Sequence, residues 1–167
     1  MESLQRQLDA ARGSRRVAFA AVWIAMSLFA GSATLAAPAG ATARLGHGYP
    51  HAVQYAPDGE LLAVATRIGV GLWDTRTLDR VAFLDARSSV QSIAFSRDGA
   101  TLATGLSNGT TKIWDIGSRQ ELATIVSNSE YVRSVAFSPD GTVLAIGGNQ
   151  VTLWDAHTGQ TIRTASM

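Results

Sequence analysis

One pattern of turn and strand residues occurs three times between residues 53 and 159, and no other property of the chain restricts its fold as tightly. The units read VQYAPDGELLAVATRIGVGLWDTRT at 53–77, IAFSRDGATLATGLSNGTTKIWDIGS at 93–118 and VAFSPDGTVLAIGGNQVTLWDAHTG at 135–159. Trp73-Asp74, Trp114-Asp115 and Trp154-Asp155 are separated by 41 and 40 residues. Asp58-Gly59, Asp98-Gly99 and Asp140-Gly141 are separated by 40 and 42. Two independent landmarks keep one period, which excludes coincidence.

Each unit reads as short strands joined by tight turns. In the third, Val132 to Phe137 is β-branched and aromatic, and Ser138-Pro139-Asp140-Gly141 is a turn. Pro139 presets φ, Asp140 bonds the backbone ahead of it, and Gly141 accepts positive φ. Val143 to Ile146 and Val151 to Trp154 are further apolar runs, separated by Gly147-Gly148-Asn149, and Gln160 to Thr164 is a weaker fourth strand. Arg80 to Leu84 and Glu121 to Val126 are its counterparts. Four antiparallel strands in about 40 residues make one blade of a β-propeller. The runs are apolar rather than alternating, as sheets covered on both faces require. The expected fold class is therefore all-β: three four-stranded antiparallel blades in an open, partial propeller, preceded by an N-terminal hydrophobic helix.

The aromatic-Ala-x-x-Asp-Gly turn, the Leu-Ala strand, the Gly-rich turn and the Leu/Ile-Trp-Asp strand end recur together. In this the chain resembles the WD40-repeat family over about residues 45–167, and the divergent bacterial repeats more than the eukaryotic ones. Many WD40 blades hold a His–Asp–Ser/Thr–Trp hydrogen-bond network. Here its Gly-His element occurs once, as Gly46-His47, with Ala86 and Asn128 near that place in the other repeats. The tight-turn aspartate is replaced by Asn108, by Asn149 and by Arg67 or Ile68. The full network is thus missing, and burial around the tryptophans must hold each blade. The resemblance also implies that partners dock on the face built by the loops from fourth to first strands. The matching residues are Tyr49, His51, Ser89, Gln91, Glu130, Tyr131 and Arg133. Tyr131 and Arg133 are the main hot-spot candidates, since aromatics and arginine dominate contact energies.

Ahead of the repeats, no charged residue lies between Arg16 and Arg44. Arg6, Arg12, Arg15 and Arg16 outnumber Glu2 and Asp9, then the most apolar run follows, fourteen residues reading VAFAAVWIAMSLFA at 17–30, and then the small-residue stretch GSATLAAPAGATA. A basic flank, an apolar run and a small-residue exit form the secretory pattern. Uncut, residues 17–39 are long enough for a signal anchor in the membrane, with the arginines on the cytoplasmic side. Ser14-Arg15-Arg16-Val17-Ala18-Phe19 partly matches a twin-arginine signal. Either way the repeats are expected outside the cytoplasm. The division is residues 1–43 for targeting and 44–167 for repeats of about 45–85, 86–127 and 128–167.

Composition removes other function classes. The net charge of +1 gives no basic field for nucleic acid. Cysteine is absent, which removes disulfides, thiolate zinc sites and cysteine catalysis. His47, His51 and His157 are the only histidines, so no metal or other cofactor is expected. One lysine against thirteen arginines fits GC-rich bacterial coding. Asp74, Asp115 and Asp155 recur once per blade at a strand end, which reads as turn capping, and Asp58, Asp98 and Asp140 recur in the hairpins. No nucleophile, base and orienting acid assemble in one place. Catalysis is not expected.

Closed propellers hold about 4–8 blades, so three leave two open faces. Three readings follow: self-assembly, with two copies making one ring; a truncated or partial product of a longer WD40 gene, such as the sensor or accessory portion of a larger multidomain bacterial protein; or an open arc. The ending Thr164-Ala165-Ser166-Met167 carries no capping element and favours the second. The functional expectation is an exported or membrane-anchored scaffold that binds other proteins, or a homo-oligomeric ring of the cell envelope.

Overall fold

The computed structural model describes residues 49–127 and 129–166. Twelve strands follow one another in chain order. They are β1 (Ala52–Tyr55), β2 (Leu61–Ala65), β3 (Gly69–Asp74), β4 (Arg80–Asp85), β5 (Val90–Phe95), β6 (Thr101–Leu106), β7 (Thr110–Asp115), β8 (Glu121–Val126), β9 (Ser134–Phe137), β10 (Val143–Gly147), β11 (Gln150–Asp155) and β12 (Gln160–Ser166). They form three four-stranded sheets with neighbours paired in sequence order, here blade 1 (β1–β4), blade 2 (β5–β8) and blade 3 (β9–β12). Every pairing is antiparallel. The fold is all-β, three blades of a partial propeller.

The turns form for the reasons their residues imply. The Asp98 and Asp140 carboxylates accept the backbone N–H groups of Ala100 and Thr142 and the hydroxyls of Ser96 and Ser138. Gly59, Gly99 and Gly141 follow at φ of 75°, 73° and 78°, where a β-carbon would be strained. Asp74, Asp115 and Asp155 each accept backbone N–H groups from two or three residues ahead. All six repeated aspartates therefore shape turns, as their spacing implies.

Two apolar seams hold the blades together. Leu72, Leu84 and Ala65 of blade 1 meet Phe95, Leu102 and Trp114 of blade 2. Ala103 and Ile113 of blade 2 meet Val135, Leu144, Ile146 and Trp154 of blade 3. Among the described residues blade 2 alone is covered on both faces, so β6 is buried from Leu102 to Leu106. The registers Leu62↔Trp73, Leu102↔Trp114 and Leu144↔Trp154 make Val64, Thr104 and Ile146 equivalent. Only Thr104 carries a hydroxyl. Trp114 Nε1 donates to it across 3.0 Å, with both groups buried, so a remnant of the polar network survives in blade 2.

Two boundaries differ from the sequence expectation by more than one residue. β9 begins at Ser134 rather than Val132, because the Val132 N–H is taken by the Leu106 carbonyl of blade 2. β12 runs seven residues to Ser166 and is the longest strand described. An edge strand needs backbone pairing more than apolar side chains, and β11 pairs with it from Gln150 to Asp155. The targeting segment, the hydrophobic helix expected within it, Gly46-His47 and Asn128 lie outside the described residues. Among the described residues no helix is long and apolar enough to cross a membrane.

Candidate functional site

Antiparallel order puts the fourth-to-first connections and the second-to-third turns at one end of every blade. At the seam of blades 1 and 2 these elements converge on a cleft of about 510 Å³. Its lining is Tyr49 and His51 before β1, Arg67 in the β2–β3 turn, Ser89 and Gln91 at the start of β5, and Ser107 in the β6–β7 turn.

Backbone bonds fix these loops. The Val90 N–H donates to the Thr66 carbonyl (3.0 Å), the Ser107 N–H to the Ser89 carbonyl (2.9 Å), and the His51 N–H to the Ala65 carbonyl (3.0 Å). His51 Nδ1 lies 2.8 Å from the Val90 carbonyl. A carbonyl only accepts, so this bond places a proton on Nδ1. Ser89 Oγ is 3.3 Å from the same nitrogen and accepts from Gln91 Nε2 at 3.1 Å. Among the described residues no carboxylate lines the cleft, whereas Arg67, Ser89, Gln91 and Ser107 all offer donors. Such a surface suits a segment rich in acceptors.

Tyr49, His51, Ser89 and Gln91 thus come together. Glu130, Tyr131 and Arg133 sit at the same end but at the seam of blades 2 and 3. There the Arg133 guanidinium lies 4.6 Å over the Tyr131 ring, a cation–π pair formed within the chain. Their loop is clamped: the Ser129 hydroxyl accepts the Asn149 N–H (3.0 Å), and Gly109 packs directly on the Ser129 carbonyl. Sequence reasoning missed Arg67 as a site residue, noting it only as a departure from the tight-turn aspartate, and missed Ser107 altogether. Adjacency across a seam leaves no periodic signal.

The acids are arranged differently. Asp74, Asp98, Asp115, Asp140 and Asp155 all titrate below the ordinary carboxylate range because their own turns donate hydrogen bonds to the charged form. Asp140 is the extreme case, pulled down to about 2 by Ser138 and Thr142. Among the described residues no three histidines, aspartates or glutamates converge as a metal cluster.

Residues 25–166 match the model of the family described as Nucleolar protein 10-like, N-terminal domain, a β-propeller domain. No curated protein matches the chain. Among solved structures it is similar to the RRP9 WD40 repeats, with a TM-score of 0.69 and 21% identity over 73% of this chain and 40% of that one. It is similar to U3-55K with a TM-score of 0.69 and 21% identity, over 73% of this chain and 41% of that one. Hydrazine synthase of Kuenenia stuttgartiensis gives a TM-score of 0.67 and 21% identity over 71% of this chain and 36% of that one. At such identity the likeness is one of fold. The chain spans less than half the length of each of these three.

Proposed function

Because the chain belongs to the β-propeller family described as Nucleolar protein 10-like, N-terminal domain, we propose that it is a protein-binding scaffold module whose docking site is the cleft between blades 1 and 2. The observation that carries this is convergence: loops of two blades, tied by backbone hydrogen bonds, present donors with no carboxylate among the described lining residues. A site held in advance loses little entropy on binding. The partner it fits is an extended segment offering main-chain carbonyls or a carboxylate. The chain performs no chemistry of its own. A photo-crosslinker at Ser89 tests this against one at Arg119, which lies at the opposite end of the blades. The reading requires adducts with another protein from Ser89 and none from Arg119. Equal labelling from both would overturn it.

The repeats act outside the cytoplasm, delivered by residues 1–43 as a cleaved signal or an anchor. The basic flank and apolar run of the sequence support this. The family match begins at residue 25, inside that uncharged stretch, so a fusion test is needed. Residues 1–50 should activate a reporter that works only after export, and a cytoplasmic result removes the localisation.

A second partner is another copy of the chain. The three described blades leave two sheet faces without a neighbouring blade, which favours completion of a ring by self-association.

A further inference from the structure

We infer that blade 1 of one copy docks on the outer face of blade 3 of another, with Arg163 of that second copy entering a groove beside Trp73, Asp58 and Glu60 of the first. This rests on the self-association just proposed and supplies its contact. It is independent of the loop-end cleft.

The internal seams show the form of the contact. Where blades 2 and 3 meet, Ile113 and Ala123 line one side of a groove of about 370 Å³, and Phe137, Thr142 and Trp154 line the other. Register carries these positions to the two ends of the array. Arg163 pairs with Leu153 as Ala123 pairs with Ile113 and Ala82 with Leu72, so it stands at the alanine position. Tyr55, Glu60 and Trp73 stand at the positions of Phe137, Thr142 and Trp154. The equivalent faces are buried at the seams and open at the ends: Val53 and Tyr55 are 46% and 47% exposed, their counterparts Ile93 and Phe95 only 8% and 6%.

Where the ends depart from the seams, they depart in complementary ways. Arginine replaces alanine at 163 on the last face, and glutamate replaces Ala100 and Thr142 at 60 on the first. Head-to-tail docking brings that guanidinium to two carboxylates and an indole face, which suit it in charge and in π density. Arg76, the counterpart of His157, adds a second cation to the groove. Asp140, the counterpart of Asp98, supplies its acid. The backbone has a matching feature. Across the internal seam the Val135 N–H donates to Ser92 Oγ at 3.2 Å. Ser134, which is exposed, and Val53 are the corresponding pair at the ends. Closed rings hold about 4–8 blades, so two copies of the three described blades meet the condition and three copies do not.

The competing role for Arg163 is a guard charge that keeps the open face from pairing. The chain has no cysteine, so single-cysteine variants give an unambiguous readout. Full-length Glu60→Cys and Arg163→Cys chains, one carrying a size tag, are mixed in mild detergent and oxidised. We expect disulfides between unlike chains in excess of those between like chains. Sedimentation of the unmodified chain should show a dimer, and Arg163→Ala should weaken it roughly 3- to 30-fold, with Arg163→Lys in between. A dimer with no Glu60–Arg163 disulfide would overturn this contact alone. A monomer at all concentrations would overturn self-association with it, and tighter association of Arg163→Ala would assign the guard role instead.

Discussion

Blades 1 and 2 carry the same strands, turns and terminal tryptophan, yet Trp114 is 5% exposed while Trp73 is only half-buried. The difference lies in the neighbour. The Trp114 face of blade 2 lies against blade 1, whereas among the described residues the Trp73 face has no blade beside it. A blade is therefore half of a structure, and most of its hydrophobic stabilisation belongs to a seam shared with the next one. Blade 2 adds the Thr104–Trp114 bond, which Val64 and Ile146 deny to the end blades.

That contrast can be attacked at graded strengths. Trp114→Ala should cost about 3–5 kcal/mol in urea unfolding of the chain, the range for a fully buried aromatic. Trp73→Ala should cost roughly half as much in dilute solution, because less of its surface leaves water. Equal losses would remove the distinction between inner and end blades. Gly109→Ala should cost more than about 2 kcal/mol, since φ there is 79° and a β-carbon would sit 2.0 Å from the Ser129 carbonyl oxygen. The same change at Gly59, also at positive φ but with nothing within 4 Å, should cost about 1 kcal/mol.

Finer tests concern polar groups inside blade 2. Thr104→Val should cost about 1–3 kcal/mol by stranding the buried indole N–H. Thr111 Oγ1, in contrast, is buried without a hydrogen-bond partner, and the equivalent residue in blade 1 is Val70. Thr111→Val should therefore leave stability unchanged or raise it by about 1 kcal/mol, read as a higher Tm. The smallest effect is in blade 3. The Asp140 carboxyl at about 2 lies below its usual 3.8, so its contribution is complete above about pH 4 and is lost as the pH falls toward 2. Ser138→Ala should move that titration upward by NMR and shift acid unfolding to higher pH.

The repeat made the fold legible because two landmarks recur with one period and each landmark is a turn or strand end of known chemistry. Every Asp-Gly and Trp-Asp pair occupies the turn or strand end its residues imply. The site was legible only in part. Tyr49, His51, Ser89 and Gln91 came from a family resemblance and meet in one cleft, while Glu130, Tyr131 and Arg133 meet at the next seam. Arg67 and Ser107 join the cleft through the stacking of two blades, which no single strand pattern encodes. The Thr104–Trp114 bond was within reach, because a tight hairpin places a residue two beyond Leu102 on the face of its partner tryptophan.

The central claim is that neighbouring blades, not the repeats themselves, supply the burial that holds each blade. Amide hydrogen exchange of the full chain, followed strand by strand as a function of concentration, tests it most directly. In dilute solution β6 and β7 should exchange slowest, with β2 and β3 clearly faster. Protection of β2 and β3 should rise with concentration as the open face is covered. Uniform protection of all three blades at every concentration would contradict the account.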